Sequence, residues 1–229
     1  NRIFMSTETA VPIATSRLPE IVVRTGTDDE IAHQDAQALQ DVLAYHMERI
    51  GIQAMAERFV RDIIVKRYGA FKIVWDKEGD DVGLRVIDPR RIRLPKYGKS
   101  VDELAFIIED LEMSYGQVAL FFGKEKADKI NTETSTNKTR KATFSVKEVW
   151  TNEFVAWKAG NEILKKEKNS YYDFKNEENN FFKQPRKPYV IKSLFETEDS
   201  LIGDTDYVQQ VIPIQDNINK RKRQIENIV

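Results

Sequence analysis

The spacing of apolar residues predicts an α+β chain with an N-terminal helical hairpin, a mainly antiparallel β-rich middle and a long C-terminal helix. Three observations carry that prediction. Apolar positions over residues 31–64 recur at helical spacing, the period drops from 3.6 to 2 after Gly69, and it returns to 3.6 from Asp206. With 229 residues, 41% of them hydrophobic, the chain has material for one large or two small domains. The expected division is a domain over residues 1–200 and a long helix over 201–229. No internal repeat is visible.

The elements follow in order. Residues 2–27 are mixed, with Ile21-Val22-Val23 reading as a short strand before Gly26. Asp28-Asp29-Glu30 supplies the acids that a helix N-terminus favours. Ile31, Leu39, Leu43 and Met47 then fall on one four-residue series that Asp35 interrupts, widened by Val42 and Ile50 and closed by Gly51. A second helix places Ile52, Met55, Phe59, Val60, Ile63 and Ile64 on one face, with Gly69 expected to end it. Phe71, Ile73 and Trp75, a charged turn, and Leu84, Val86 and Ile87 make a β-hairpin. Phe106-Ile107-Ile108 is a further strand, and Ser114 opens a short helix that ends at Gly123. Residues 124–143 read as a mobile polar loop. Val146–Trp150 and Phe154–Trp157 read as strands, turning at Gly160-Asn161 into Glu162-Ile163-Leu164. Residues 165–188 form a long irregular excursion. The closing helix carries Val208, Val211, Ile214, Ile218, Ile225 and Ile228, with Pro213 as an alternative first residue.

Composition removes several function classes. There is no cysteine, so disulfides, cysteine-based zinc sites and thiol catalysis are excluded. Thirty-six basic against 37 acidic residues argue against nonspecific nucleic-acid coating, which draws its affinity from phosphate neutralisation. No apolar run approaches the ~18–20 residues that span a bilayer, so no membrane partner is expected. Gly98-Lys99-Ser100 has Arg93 where a phosphate-cradling loop needs glycine, which leaves no ATPase signature. His33 and His46, thirteen residues apart on one helix, are about 140° apart in rotation and do not form a paired ligand site. No catalytic residue, metal ligand or cofactor is expected.

Two sets of residues remain as candidates. Lys220-Arg221-Lys222-Arg223 is the densest basic run. Four consecutive residues encircle a helix, so a solvated face is the plainer reading, and contact with DNA phosphates through Lys220, Lys222 and Arg223 is the sharper one. Val211, Ile214, Ile218, Ile225 and Ile228 form the stripe expected to pack against a partner. The acidic pairs Asp80-Asp81, Glu109-Asp110 and Asp204 with Asp206 invite a metal-dependent nuclease reading, but chance pairs are expected among so many acids. Trp75, Trp150 and Trp157 sit on strand patterns and are expected in the core.

The order of features resembles a known family. Gly69-Ala70-Phe71-Lys72-Ile73-Val74-Trp75-Asp76 follows the helical pair, and Val86-Ile87-Asp88-Pro89-Arg90-Arg91-Ile92 comes next. Met113-Ser114-Tyr115-Gly116-Gln117-Val118 stands later, and Ile212-Pro213-Ile214-Gln215-Asp216-Asn217-Ile218-Asn219 lies near the end. Together they look like the N-terminal half of tailed-bacteriophage portal proteins, the head-to-tail connectors. The resemblance implies a homo-oligomeric ring, usually of twelve subunits, at a capsid vertex of the virion, assembled in the host cytoplasm. Double-stranded DNA passes through its channel during packaging and ejection. The large terminase subunit, neck and tail proteins, and capsid and scaffold proteins are the implied partners. On this resemblance residues 1–200 correspond to the wing and the last helix leads toward the stem, while clip, second stem helix and crown lie outside the chain. Such proteins have no enzymatic site. The alternatives are a metal-dependent DNA-processing nuclease or another phage structural or adaptor module.

Overall fold

The computed structural model describes residues 2–17, 20–26, 28–76, 80–134, 143–180 and 182–227. It has the expected α+β architecture: N-terminal helices, a β-rich antiparallel middle and a long C-terminal helix. Compactness divides the chain differently from the 1–200 and 201–229 expected from the sequence. One unit comprises Asn1–Val86, Lys192–Phe195 and Gly203–Val229, and the other Ile87–Ile191 and Glu196–Ile202. The chain thus returns to the first unit before its last helix.

The first unit starts with a helix that the sequence pattern did not suggest. α1 spans Arg2–Thr15, with Pro12 inside it. Its threonines turn their hydroxyls inward along the chain. Thr7, Thr9 and Thr15 donate to the carbonyls of Ile3, Met5 and Val11 at 3.0, 2.8 and 2.9 Å, which removes their competition with the backbone ladder. Thr7, Val11 and Thr15, four residues apart, are buried. That face packs on α3 (Ile52–Lys66), where the Arg61 guanidinium grips both carboxylate oxygens of Glu8 and Gln53 donates to the Thr15 carbonyl at 2.9 Å. Residues 21–23 are not a strand. The Val23 amide donates to the side chain of Gln40 at 3.1 Å, where a strand would have found a neighbour's backbone.

α2 spans Glu30–Arg49, capped by Asp29, whose carboxylate accepts from the Ile31 amide. Gly51 follows at φ +66°, the left-handed residue that a helix C-terminus needs. At the end of α3 the expected glycine is not the one used. Arg67 adopts φ +76°, while Gly69 is already inside β1 (Tyr68–Asp76). A Cβ at Gly69 would stand 2.7 Å from the Phe59 ring, which stacks on Phe71 with centroids 4.3 Å apart. Glycine is therefore needed there for close approach, and Arg67 takes the backbone strain. Arg67 is held on both sides: its guanidinium donates to the Gly203 carbonyl, and its own carbonyl accepts from the Ser193 hydroxyl at 2.8 Å.

β1 and β2 (Asp81–Ile87) form the expected hairpin, and β8 (Tyr189–Ser193) completes a three-stranded sheet in the order β2-β1-β8. Trp75 is 56% exposed, contrary to its expected place in the core. α6 spans Tyr207–Glu226. Asp206 is its cap, accepting from the Gln209 amide at 2.7 Å, so Pro213 lies inside the helix rather than at its start.

The second unit is built on a five-stranded antiparallel sheet in the order β3-β4-β5-β6-β7, with β3 Ile92–Arg93, β4 Phe106–Ser114, β5 Thr143–Thr151, β6 Phe154–Ala159 and β7 Glu162–Lys168. A capping box at Ser114 and Gln117 starts α4 (Tyr115–Phe122). Residues 124–134, expected within a mobile loop, form α5 (Lys124–Thr134). Two apolar residues three apart suffice to seat it: Ala127 and Ile130 are fully buried beside Val118, Phe144, Val146, Ala159 and Leu164. Lys126 donates to the Leu164 carbonyl, and Lys129 pairs with Glu162 at 2.7 Å. Residues 135–142 of the expected loop lie outside the described residues.

The excursion after β7 is irregular as expected, but it is pinned. Asn169, 2% exposed, donates to the carbonyls of Asn152 and Arg186 at 3.0 and 2.9 Å and accepts from the Tyr171 amide at 2.9 Å. Lys187 is buried as well, its ammonium reaching the Asn152 side chain and the carbonyls of Val101 and Asp102.

Candidate functional site

Strand register brings together two carboxylates that are 39 positions apart in the sequence. Glu109 on β4 is directly opposite Glu148 on β5, which is directly opposite Trp157 on β6. Side chains alternate along a strand, so Ile107, Glu109, Leu111 and Met113 share a face with Phe144, Val146, Glu148 and Trp150. α4 and α5 cover the Met113–Phe144 end of that face. At the other end Tyr189 donates to Glu109 Oε2 at 2.8 Å, the Trp150 indole donates to Glu148 Oε1, and Tyr171 packs on Trp150 with ring centroids 5.7 Å apart.

The electrostatics of this cluster are those of a closed polar core. Glu109 and Glu148 are 4% and 6% exposed. Burial is the main reason the Tyr189 hydroxyl is held protonated far above its ordinary range; the charges of Glu148 and Glu109 and its hydrogen bond to Glu109 add to this. Burial, then Glu148, raises Tyr171 as well. Both phenols therefore stay protonated at physiological pH, and that of Tyr189 donates to Glu109. Glu109 accepts from the Tyr189 phenol and Glu148 from the Trp150 indole.

The remaining acidic pairs are dispersed in role. Asp81 pairs with Arg49 and stands 3.4 Å from His46 Nδ1, while Asp80 is exposed at the turn. Asp110 pairs with Arg93 at 2.9 Å on the other face of the sheet, and Asp206 caps α6. Among the described residues, no three His, Asp or Glu side chains are placed to hold one metal ion. Sequence reasoning named Glu109 but missed Glu148. The signal was there: Glu148 keeps the phase of Phe144, Val146 and Trp150, a polar residue at a core position.

A cleft of about 380 Å³ lies at the rim of the second unit, lined by Ile130, Phe144, Lys147, Lys158 and Gly160 among others. Among the described residues its lining offers two ammonium groups and no carboxylate or imidazole. That suits an anion and does not suit acid–base work.

The candidate residues of α6 separate by the side of the helix they occupy. Val211 and Ile218 are half-buried on the side toward α1 and α3, where the Arg2 amide also donates to Gln215. Ile214 and Ile225 are exposed, at 59% and 64%, and Ile228 lies outside the described residues. Lys220, Arg221, Lys222 and Arg223 are all exposed and distributed around the helix; Lys222 faces Glu226 at 3.8 Å. No described residue of α6 is fully buried. Among the described residues, no helix is long and apolar enough to cross a membrane. Compared with protein-family models and with curated proteins, the chain matches none.

Proposed function

We propose that the chain is a non-enzymatic subunit of a tailed-phage portal ring at a capsid vertex of the virion. In that role twelve copies enclose a channel for DNA packaging and ejection. They present docking surfaces to the large terminase subunit, to neck and tail proteins, and to capsid and scaffold proteins. The observation that carries the reading is α6: a twenty-residue helix that contains, in its first half, the Ile212-Pro213-Ile214-Gln215 segment that resembles the family, with Ile214 and Ile225 exposed. A monomer gains nothing from such a stripe, since each large aliphatic side chain left in water forgoes about 1.5–3 kcal/mol of burial. A ring subunit needs two unlike faces that meet on its neighbours, and long helices supply them. Near-neutral charge lets DNA pass without adhering. The nuclease alternative would need acids such as Asp80-Asp81, Glu109-Asp110 and Asp204 with Asp206 to share a metal ion, and among the described residues no three are placed to hold one.

Light scattering combined with electron-microscope images tests the proposal. Closed rings with about twelve times the 26.6 kDa protomer mass are expected. A monodisperse monomer at all concentrations would refute it.

A further inference from the structure

We infer that α2 of one copy of this chain pairs antiparallel with α6 of a second copy. Both helices belong to the same compact unit and both leave an apolar stripe in solvent. On α2, Ile31, Val42 and Tyr45 are 67%, 50% and 63% exposed, and no residue of this helix is fully buried. On α6 the exposed members are Ile214 and Ile225.

The two stripes have the same spacing, which reads alike in both directions, so the charges within them and not the spacing set the polarity. Ile31, Asp35, Ala38 and Val42 advance by 4, 3 and 4 residues; so do Ile225, Arg221, Ile218 and Ile214 read backwards. Eleven residues span about 16.5 Å and return to within about 20° of the starting direction, so each set is one seam along its helix. Antiparallel alignment sets Ile31 against Ile225, Asp35 against Arg221, Ala38 against Ile218, and Val42 against Ile214. The single acid of one seam meets the single base of the other, and the small Ala38 faces the half-buried Ile218, where the helices must approach most closely. Parallel alignment would instead set Asp35 against Ile218 and Arg221 against Ala38, leaving both charges without partners in an apolar seam.

Charge away from the seam favours the same pairing. α2 presents Glu30, Asp35, Asp41 and Glu48, and its Arg49 is already occupied by Asp81. The second half of α6 presents Lys220, Arg221, Lys222 and Arg223 against one acid, Glu226, which lies 3.8 Å from Lys222, so its net charge stays positive. Like helices repel and unlike helices attract, which makes the contact heterologous. That it runs head to tail around a closed ring rests on the portal reading; the helix pairing itself does not.

The test is charge reversal at two exposed positions, with folding checked by circular dichroism and association by sedimentation over a range of concentrations. Asp35→Arg alone and Arg221→Asp alone should each weaken association at least ten-fold, or 1.4 kcal/mol. Both substitutions on one chain should restore it. Mixing the two single variants should restore it too, because each then meets the opposite charge on the other, giving alternating assemblies. A parent chain that stays monomeric, single variants that associate within two-fold of the parent, or a mixture that does not recover would each overturn the pairing. Rings indifferent to both substitutions would leave the portal reading standing without this contact. Dimers that obey the charge pattern would leave the contact standing without the ring.

Discussion

Asn169→Ala should be among the most damaging polar substitutions in the second unit. The Asn169 side chain makes three hydrogen bonds at 2.9–3.0 Å in a site that is 2% exposed. Each is worth about 1 kcal/mol net, and the Asn152 and Arg186 carbonyls would lose buried donors, so the expected loss is about 2–4 kcal/mol. Asn169→Asp should cost at least as much at neutral pH, because it turns two donors into acceptors that face carbonyls. Acid should recover part of that loss, since the protonated carboxyl supplies one donor. Urea unfolding followed by tryptophan fluorescence is the assay. Trp150 packs against Tyr171, whose amide Asn169 holds, so the probe sits on the affected structure. A midpoint shift worth less than about 0.5 kcal/mol, with an unchanged denaturant slope, would show that the excursion is not pinned by this residue.

Gly203→Ala should be severe, because its Cβ would overlap the Phe195 carbonyl; thermal unfolding of this variant at or near the parent midpoint would contradict the described path of the chain. Tyr189→Phe removes the donor to buried Glu109 and should cost about 1–3 kcal/mol, whereas an exposed tyrosine would cost little. Burial holds the Lys187 ammonium below its ordinary pKa, with Asp102 opposing. Because the folded value lies below the unfolded one, the unfolded chain binds more protons between the two, so this group makes stability rise with pH across that window. Lys187→Met should flatten the rise, and a pH–stability profile unchanged by it would refute the assignment. Plasmid incubated with Mg²⁺ or Mn²⁺ should stay intact; cleavage abolished by Asp80→Asn or Glu109→Gln would favour the nuclease alternative.

What was legible in the sequence is what local physics decides. The change of period at Gly69, the helix start at Ser114, Gly51 at a helix end and the Gly160-Asn161 turn are short-range signals, and each is found in place. α1 and α5 were missed because neither carries a long apolar stripe. One depends on threonines satisfied along its own backbone and on packing against α3; the other buries only Ala127 and Ile130 and is tied down by Lys126 and Lys129. Tyr189 and Glu109 are 80 residues apart, and nothing in either's neighbourhood announces the other.

α2 shows how a correct pattern can still mislead about function. The residues that predicted one amphipathic face are divided between two. Leu43, Met47 and Ile50 are half-buried on the inward side, while Ile31, Leu39 and Val42 are exposed. Asp35, read from the sequence as an interruption of a core stripe, lies on the exposed side with Ile31 and Val42. An acid there costs a folded monomer nothing, because water solvates it. Between two apolar neighbours it becomes useful only if a second surface covers them and brings a base, since an uncovered charge selects no partner and a covered, unpaired one is penalised. In the proposed pairing, the interruption in the pattern is the residue of α2 that selects the partner.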